Sequence, residues 1–129
     1  MSDKFTFTLD RDRGLVRISM QGFYNLEDVE AFFAARRTAH AELGLPRNQH
    51  LTLNDLRGMT IQAQDVIHAF QKGLAVPEEK ARRLAIVVDA AMARGQANRA
   101  INSSDTHYFT DVESAEIWLF AGEELRRAG

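Results

Sequence analysis

Cysteine is absent from all 129 residues, which excludes disulfides, thiolate nucleophiles and thiolate metal sites and fits a cytoplasmic protein. Long apolar runs are also missing. No window approaches the roughly 18 apolar residues of a membrane span, and the start Met1-Ser-Asp-Lys-Phe-Thr-Phe-Thr8 lacks the apolar core of a signal peptide. There is little excess charge: a formal net charge of −2 and a pI near 6.1 argue against a general nucleic-acid binder, which needs a strongly basic face. The pairs Arg36-Arg37, Arg82-Arg83 and Arg126-Arg127 are interspersed with acidic residues and read as solvated faces. Gly-x-Gly-x-x-Gly, P-loop and Gly-x-Ser-x-Gly patterns do not occur. The four histidines (His40, His50, His68, His107) form no HxH, HExxH or i,i+4 pair, so neither a metal site nor a cofactor is expected. His68 and His107 read as surface residues. What remains is 45% apolar and 26% charged, the composition of one ordinary soluble globular domain spanning residues 1–129.

Hydrophobic periodicity divides the chain cleanly. Phe5, Phe7 and Leu9 alternate with threonines, Asp10-Arg-Asp-Arg-Gly14 reads as a turn, and Val16, Ile18 and Met20 alternate with Arg17 and Ser19, predicting an antiparallel hairpin. Asn25 is a candidate N-cap for a helix whose apolar face is Val29, Phe32, Phe33, Ala35, Ala39 and Leu43, with Gly44 and Pro46 ending it. A strand around Leu51–Leu53 leads through a polar turn to an amphipathic helix with Ala63, Val66, Ile67, Phe70 and Leu74 on one face. In that helix Gly73 weakens the end, and Thr60 is the expected N-cap. Leu84 to Val88 is the most continuous apolar run and predicts a strand buried on both faces. Ala90 to Ile101 reads as a helix of small residues, Thr106 to Phe109 as a short strand, and Thr110-Asp-Val-Glu113 as a capping box. The helix it opens buries Val112, Ala115, Trp118 or Leu119, and Leu125. The order β-β-α-β-α-β-α-β-α predicts an α/β fold, a mixed sheet of about five strands with parallel pairing through right-handed crossovers.

Three segments carry a family resemblance: Leu53-Asn-Asp-Leu-Arg-Gly-Met-Thr60, the strand Leu84 to Val88, and the ending Tyr108-Phe-Thr-Asp-Val-Glu-Ser-Ala-Glu-Ile-Trp-Leu119. In this order they resemble the STAS fold of anti-sigma-factor antagonists, and more closely its divergent SpoIIAA-like group, whose fold is related to the lipid-binding Sec14 domain. In antagonists that switch by phosphorylation, the resembling turn reads Asp-Leu-Ser-Gly-Val, followed by Asp-Ser-Ser-Gly at the helix start. Asp55-Leu56-Arg57-Gly58-Met59 matches the first part, but Ala63-Gln64-Asp65-Val66 stands in the second place without a hydroxyl. That switch works by placing phosphate charge at a helix N-terminus, and this chain has no acceptor there. Asp65 in the first helical turn is either a permanent charge mimic or ordinary helix-dipole chemistry.

Parallel strands bring their C-terminal ends to one rim, where open α/β sheets carry functional surfaces. Phe23, Tyr24, Asp55, Arg57, Met59, Thr60, Ile61, Asp65 and Asp89 all fall at that rim, and no residue is assigned as catalytic. Three readings stay open. The first is a small non-enzymatic module binding a protein partner, itself included, in bacterial regulation, through apolar and aromatic rim residues. The second, implied by the Sec14 relationship, is a carrier of a lipid or other small apolar ligand in a pocket between sheet and helices. The third is an enzyme using Asp55 and Asp89 as a carboxylate pair that shares a proton. A module shows an exposed apolar patch, a carrier an enclosed apolar pocket, and an enzyme a carboxyl with a raised pKa.

Overall fold

The computed structural model describes residues 3–91 and 105–121. Phe5–Asp10 (β1) and Leu15–Gly22 (β2) form the expected hairpin, in register from Phe5 opposite Met20 to Asp10 opposite Leu15. Leu26–Leu43 (α1) opens on a reciprocal capping box in which Asn25 Oδ1 accepts from the Asp28 N–H and Asp28 accepts from the Asn25 N–H, both at 2.8 Å. It stops at Gly44, whose left-handed conformation (φ 74°) lets its N–H reach the His40 carbonyl. Leu51–Met59 (β3), Gln64–Leu74 (α2), Arg83–Val87 (β4), Thr106–Phe109 (β5) and Val112–Phe120 (α3) follow, with a 3-10 turn at Pro77–Glu79. The helix expected from Ala90 to Ile101 lies outside the described residues from position 92 onward, as does Leu125.

The five strands lie in the order β1-β2-β3-β4-β5, antiparallel at β1/β2 and parallel thereafter. Because β2, β3 and β4 advance in one direction, right-handed crossovers put α1 and α2 on one face. There Val16, Ile18 and Met20 pack with Tyr24, Val29, Phe32, Ala39 and Val66. The opposite face is covered by α3, where Leu15, Leu51, Leu53, Ala85 and Val87 pack against Ala115 and Leu119. Arg17 of β2 pairs with Glu116 of α3 across this layer. As expected, β4 is buried on both faces: Ala85 and Val87 pack under α3, and Ile86 on the other side borders the cavity beneath α1.

Four local expectations are corrected. The segment Asp55-Leu-Arg-Gly58 is strand, not turn. Ser19 pairs with Asp55 and Gln21 with Gly58, so Leu56 and Arg57 together oppose Met20 as a β-bulge and β3 continues to Met59. Gly58 permits this, since a Cβ there would lie 3.0 Å from Gln21 Cβ and 3.2 Å from the Met20 carbonyl oxygen. The final helix is capped by Asp111, whose carboxylate accepts from the Ser114 N–H at 2.7 Å, rather than by Thr110. Arg36 is not solvated. It is buried, with its guanidinium 4.8 Å from the Phe33 ring centroid and Nη2 donating to the Gly73 carbonyl at 3.0 Å. Arg83 likewise lies 4.9 Å from the Trp118 ring and His107 stacks on Trp118 at 4.5 Å, so neither is a free surface residue, while His68 is exposed as expected.

Gly73 serves packing more than helix termination. A Cβ added there would fall 2.2–2.7 Å from three ring carbons of Phe33, the ring that α2 rests on. Replacing Gly by Ala inside a helix ordinarily stabilises by about 1 kcal/mol. Overpacking a fitted ring costs typically about 1–3 kcal/mol, and here that effect wins. Gly73→Ala is therefore expected to lower the urea midpoint by an amount worth about 1 kcal/mol; a more stable variant would show that the ring moves freely.

Candidate functional site at the carboxyl rim of the sheet

At the end of β2, Gly22 adopts φ 82° and turns the chain so that the next two side chains part company. Tyr24, expected as a contact residue, is fully buried. Its ring lies 5.4 Å from Phe70 and its hydroxyl donates to the Lys4 carbonyl. Burial pushes its pKa up to about 12, so it is neutral at any working pH. Phe23 is left outside at 55% exposure, with Leu26 of the first turn of α1 beside it in sequence at 49%.

The loop after β3 is stitched to this one by Gln62. Its Oε1 accepts from the Tyr24 N–H at 2.8 Å, and its Nε2 donates to the Gly22 and Thr60 carbonyls at 2.9 and 2.7 Å. The Thr60 N–H adds a bond to the Gly22 carbonyl at 3.2 Å. These bonds lock the Phe23 and Ile61 loops together and leave Ile61 92% exposed. Gln62 is not among the rim residues expected from the sequence. The signal for it was weak: a single amide side chain in a loop between two apolar residues. Leu26 was missed as well, because only its exposure distinguishes it from a core leucine.

Thr60 does not cap α2. The bulge carries β3 to Met59, the loop uses residues 60–62, and the N-cap position falls on Ala63, which makes no side-chain cap bond. Asp65 is exposed in the first turn, with Oδ1 accepting from the Val66 N–H at 2.9 Å. Met59 is partly buried against the α1/α2 core. Between the helix starts lies a shallow groove of about 480 Å³, lined by Phe23, Tyr24, Leu26, Ala63 and Asp65 among others.

Asp55 is engaged locally. Arg57, two residues on, reaches back to it and donates Nε and Nη2 to its two carboxylate oxygens at 3.0 and 2.8 Å. Hydrogen bonding and charge from Arg57 hold the Asp55 carboxyl below its ordinary range, the opposite of what a shared proton requires. Asp89 lies exposed two residues beyond Val87, the β4 residue paired with Asp55. The expectation of a carboxylate couple with a raised pKa is thus corrected at Asp55. Among the described residues, no group of three or more His, Asp or Glu is placed to hold a metal ion, and no helix is long and apolar enough to cross a membrane.

A second titratable cluster lies at the other end of α1. His40 Nδ1 is hydrogen-bonded to Glu79 of the 3-10 turn, and the His40 and His50 rings lie 4.1 Å apart. His50 is 6% exposed, and among the described residues its Nε2 has no hydrogen-bond partner. Burial, reinforced by His40, pulls the His50 pKa down to about 4.

Comparison with known proteins bears on the fold. No protein-family model matches the chain, and no curated protein matches it by sequence. Among solved structures, it is similar to an uncharacterized protein from the DUF3478 family with a SpoIIAA-like fold from Shewanella loihica PV-4. The similarity has a TM-score of 0.67 at 19% identity, over 92% of this chain and 98% of that one. The class of the fold is therefore SpoIIAA-like α/β, as the resemblance in the sequence implied.

The buried His50 makes stability pH-dependent. Its pKa is lower in the folded protein than the ordinary 6.5, so as pH falls the unfolded chain takes up the proton first and folding weakens. The stability is complete above about pH 6.5, declines on the way to about pH 4, and is not lost further below that. Between pH 7 and pH 5 the loss amounts to about 2 kcal/mol. Urea titrations of the wild type and His50→Leu at both pH values isolate it: the wild type should lose about 2 kcal/mol more than the variant. Equal losses would mean that the imidazole is solvated.

Proposed function

We propose that this chain is a non-enzymatic STAS-like module that binds a protein partner in bacterial regulation through the rim between the starts of α1 and α2. The observation that carries this reading is the exposure of Phe23, Leu26 and Ile61 on two loops that Gln62 ties together. Exposed aromatic and aliphatic side chains on a preorganised backbone lose little entropy on docking, so their burial goes largely into affinity. Asp65 at the start of α2 adds a negative charge to the groove beside them, whereas Arg57 is held by Asp55 and feels the charge of Asp111 at the start of α3. The SpoIIAA-like fold supports a regulatory module, and the engagement of Asp55 by Arg57 weighs against an acid–base enzyme. A carrier of acyl chains finds less support. The cavity between sheet and helices, about 280 Å³, is lined by Arg36, His40, Thr52, Asn54 and Lys80 as well as apolar residues. A second copy of the chain is one partner this rim would accept, giving a homodimer.

The module works without the phospho-switch of the regulators it resembles. Ala63 occupies the N-cap of α2 and Gln64 and Asp65 its first turn, so phosphate has no acceptor at the dipole's positive end. Intact-mass analysis of protein from its native cells should give an unmodified chain; a stoichiometric phosphate on Thr60, the exposed hydroxyl of the adjoining loop, would overturn this.

The rim itself is tested by Phe23→Ser with Ile61→Ser. Both side chains are exposed, so the double variant should melt close to the wild type. Crosslinking in native cells followed by quantitative mass spectrometry should show the principal crosslinked partner reduced at least about tenfold, a loss of about 1.4 kcal/mol or more. Light scattering on the purified proteins reads the self-association arm, where a dimer dissociated by the double variant names the chain as its own partner. Unchanged crosslinks together with an unchanged oligomeric state would place the contact elsewhere.

A further inference from the structure

The face of the sheet beneath α1 contains an anomaly. On β2 the residues facing α1 are Val16 and Ile18, and on β4 the apolar Ile86 borders the same cavity, yet β3 between them presents Thr52 and Asn54. Both are buried, at 7% and 6% exposure, in the middle strand of the sheet, where aliphatic side chains would pack at no cost. Asn54 Oδ1 is buried with no hydrogen-bond partner among the described residues. Leaving an amide oxygen so desolvated costs more than a hydrogen bond contributes on average.

Arg36 lies across the same cavity and is stranded in a complementary way. The residue is 8% exposed; its guanidinium lies over the Phe33 ring and donates one bond to the Gly73 carbonyl, and among the described residues its Nε has no partner. Among the described residues, no carboxylate forms an ion pair with it. Glu79, the acid whose charge it senses, is bonded to His40 instead. Buried guanidinium groups are as a rule matched by a carboxylate or phosphate, since an uncompensated buried charge is strongly destabilising. The cavity these groups share is about 280 Å³, below the roughly 300–1,000 Å³ of sites for drug-sized ligands. Lys80 adds a second cation at its edge, and Glu79 and Asp105 border it as acids, so one small anion is accommodated better than a polyanion.

We infer that the cavity between α1 and β3 is a binding site for a small hydroxycarboxylate, whose carboxylate meets the Arg36 guanidinium and whose hydroxyl satisfies the Asn54 amide. The ligand supplies the two partners that the protein withholds from its own buried groups. It also explains why β3 tolerates Thr52 and Asn54 in an otherwise aliphatic layer. This site lies on the α1/α2 face of the sheet and shares none of its residues with the apolar patch at the rim, so the two stand independently.

The probes are glycolate, L-lactate and L-malate at millimolar concentration, with sodium chloride matched for ionic strength. At least one acid is expected to raise the melting temperature and to shift amide resonances of Thr52, Asn54 and Arg36 in a saturable titration. Arg36→Gln should weaken that titration at least about tenfold. Asn54→Leu guards against a folding artefact, because removing the orphaned amide should leave the unliganded protein at least as stable while abolishing the response. If none of the three acids shifts those resonances, if chloride reproduces the effect, or if Asn54→Leu responds as the wild type does, the site is not one for hydroxycarboxylates.

Discussion

The ring of Phe32 is the contact on which the rest of the arrangement depends. It meets Phe5 and Phe7 of β1, Phe33 of α1 and Phe70 of α2 at centroid distances of 5.1–5.7 Å, mostly edge to face. Each such pair contributes about 0.5–1.5 kcal/mol beyond simple burial, so the cluster binds three elements far apart in the chain. Through it α1 is docked on the hairpin and α2 on α1, and Tyr24 joins by its contact with Phe70. The loops at the rim inherit their positions from this cluster. With Tyr24 drawn inward, Phe23 is turned outward.

A second constraint is topological. Strands that advance in one direction send their crossover helices to one face, and the other face must be closed by whatever follows β5. That task falls to α3, whose Ala115 and Leu119 sit over the α3-facing leucines of β3. The two faces of β3 are consequently different chemical environments. Leu51 and Leu53 complete an apolar layer, while Thr52 and Asn54 face a layer that also holds Arg36. The rim and the cavity are both products of this division, one at the end of the sheet and one on its α1/α2 face.

Much of this was legible in the residues. The hairpin, the Asn25 cap, the Gly44 stop, β4 and β5 follow from alternation and local hydrogen bonding, which act over a few residues and leave their pattern in the chain. The rim was legible too, as a place where strand ends gather. Which of its residues face solvent was not. Phe23 and Tyr24 are neighbours of similar character, and only a cavity formed by Phe70 and the Lys4 carbonyl decides that Tyr24 is the one buried. The Asp55-Leu-Arg-Gly58 segment carries every mark of a turn, yet β2 is long enough to pair with it and Gly58 is small enough to let it approach. Arg36 has the charge of a surface residue, but the Phe33 ring and the Gly73 carbonyl lie within its reach.

The amino-acid sequence by itself determined the order of strands and helices, the direction of the crossovers and the missing hydroxyl at the start of α2. These are properties of periodicity and residue type, expressed within a few residues of where they are written. Only the tertiary structure decided that Tyr24, Arg36, Asn54 and His50 are buried while Phe23 and Ile61 are exposed. Burial is a property of pairs of surfaces, and the surfaces that meet here come from residues tens of positions apart. The same polar side chain is solvated on one packing and stranded on another, and it is the stranded ones that point to chemistry.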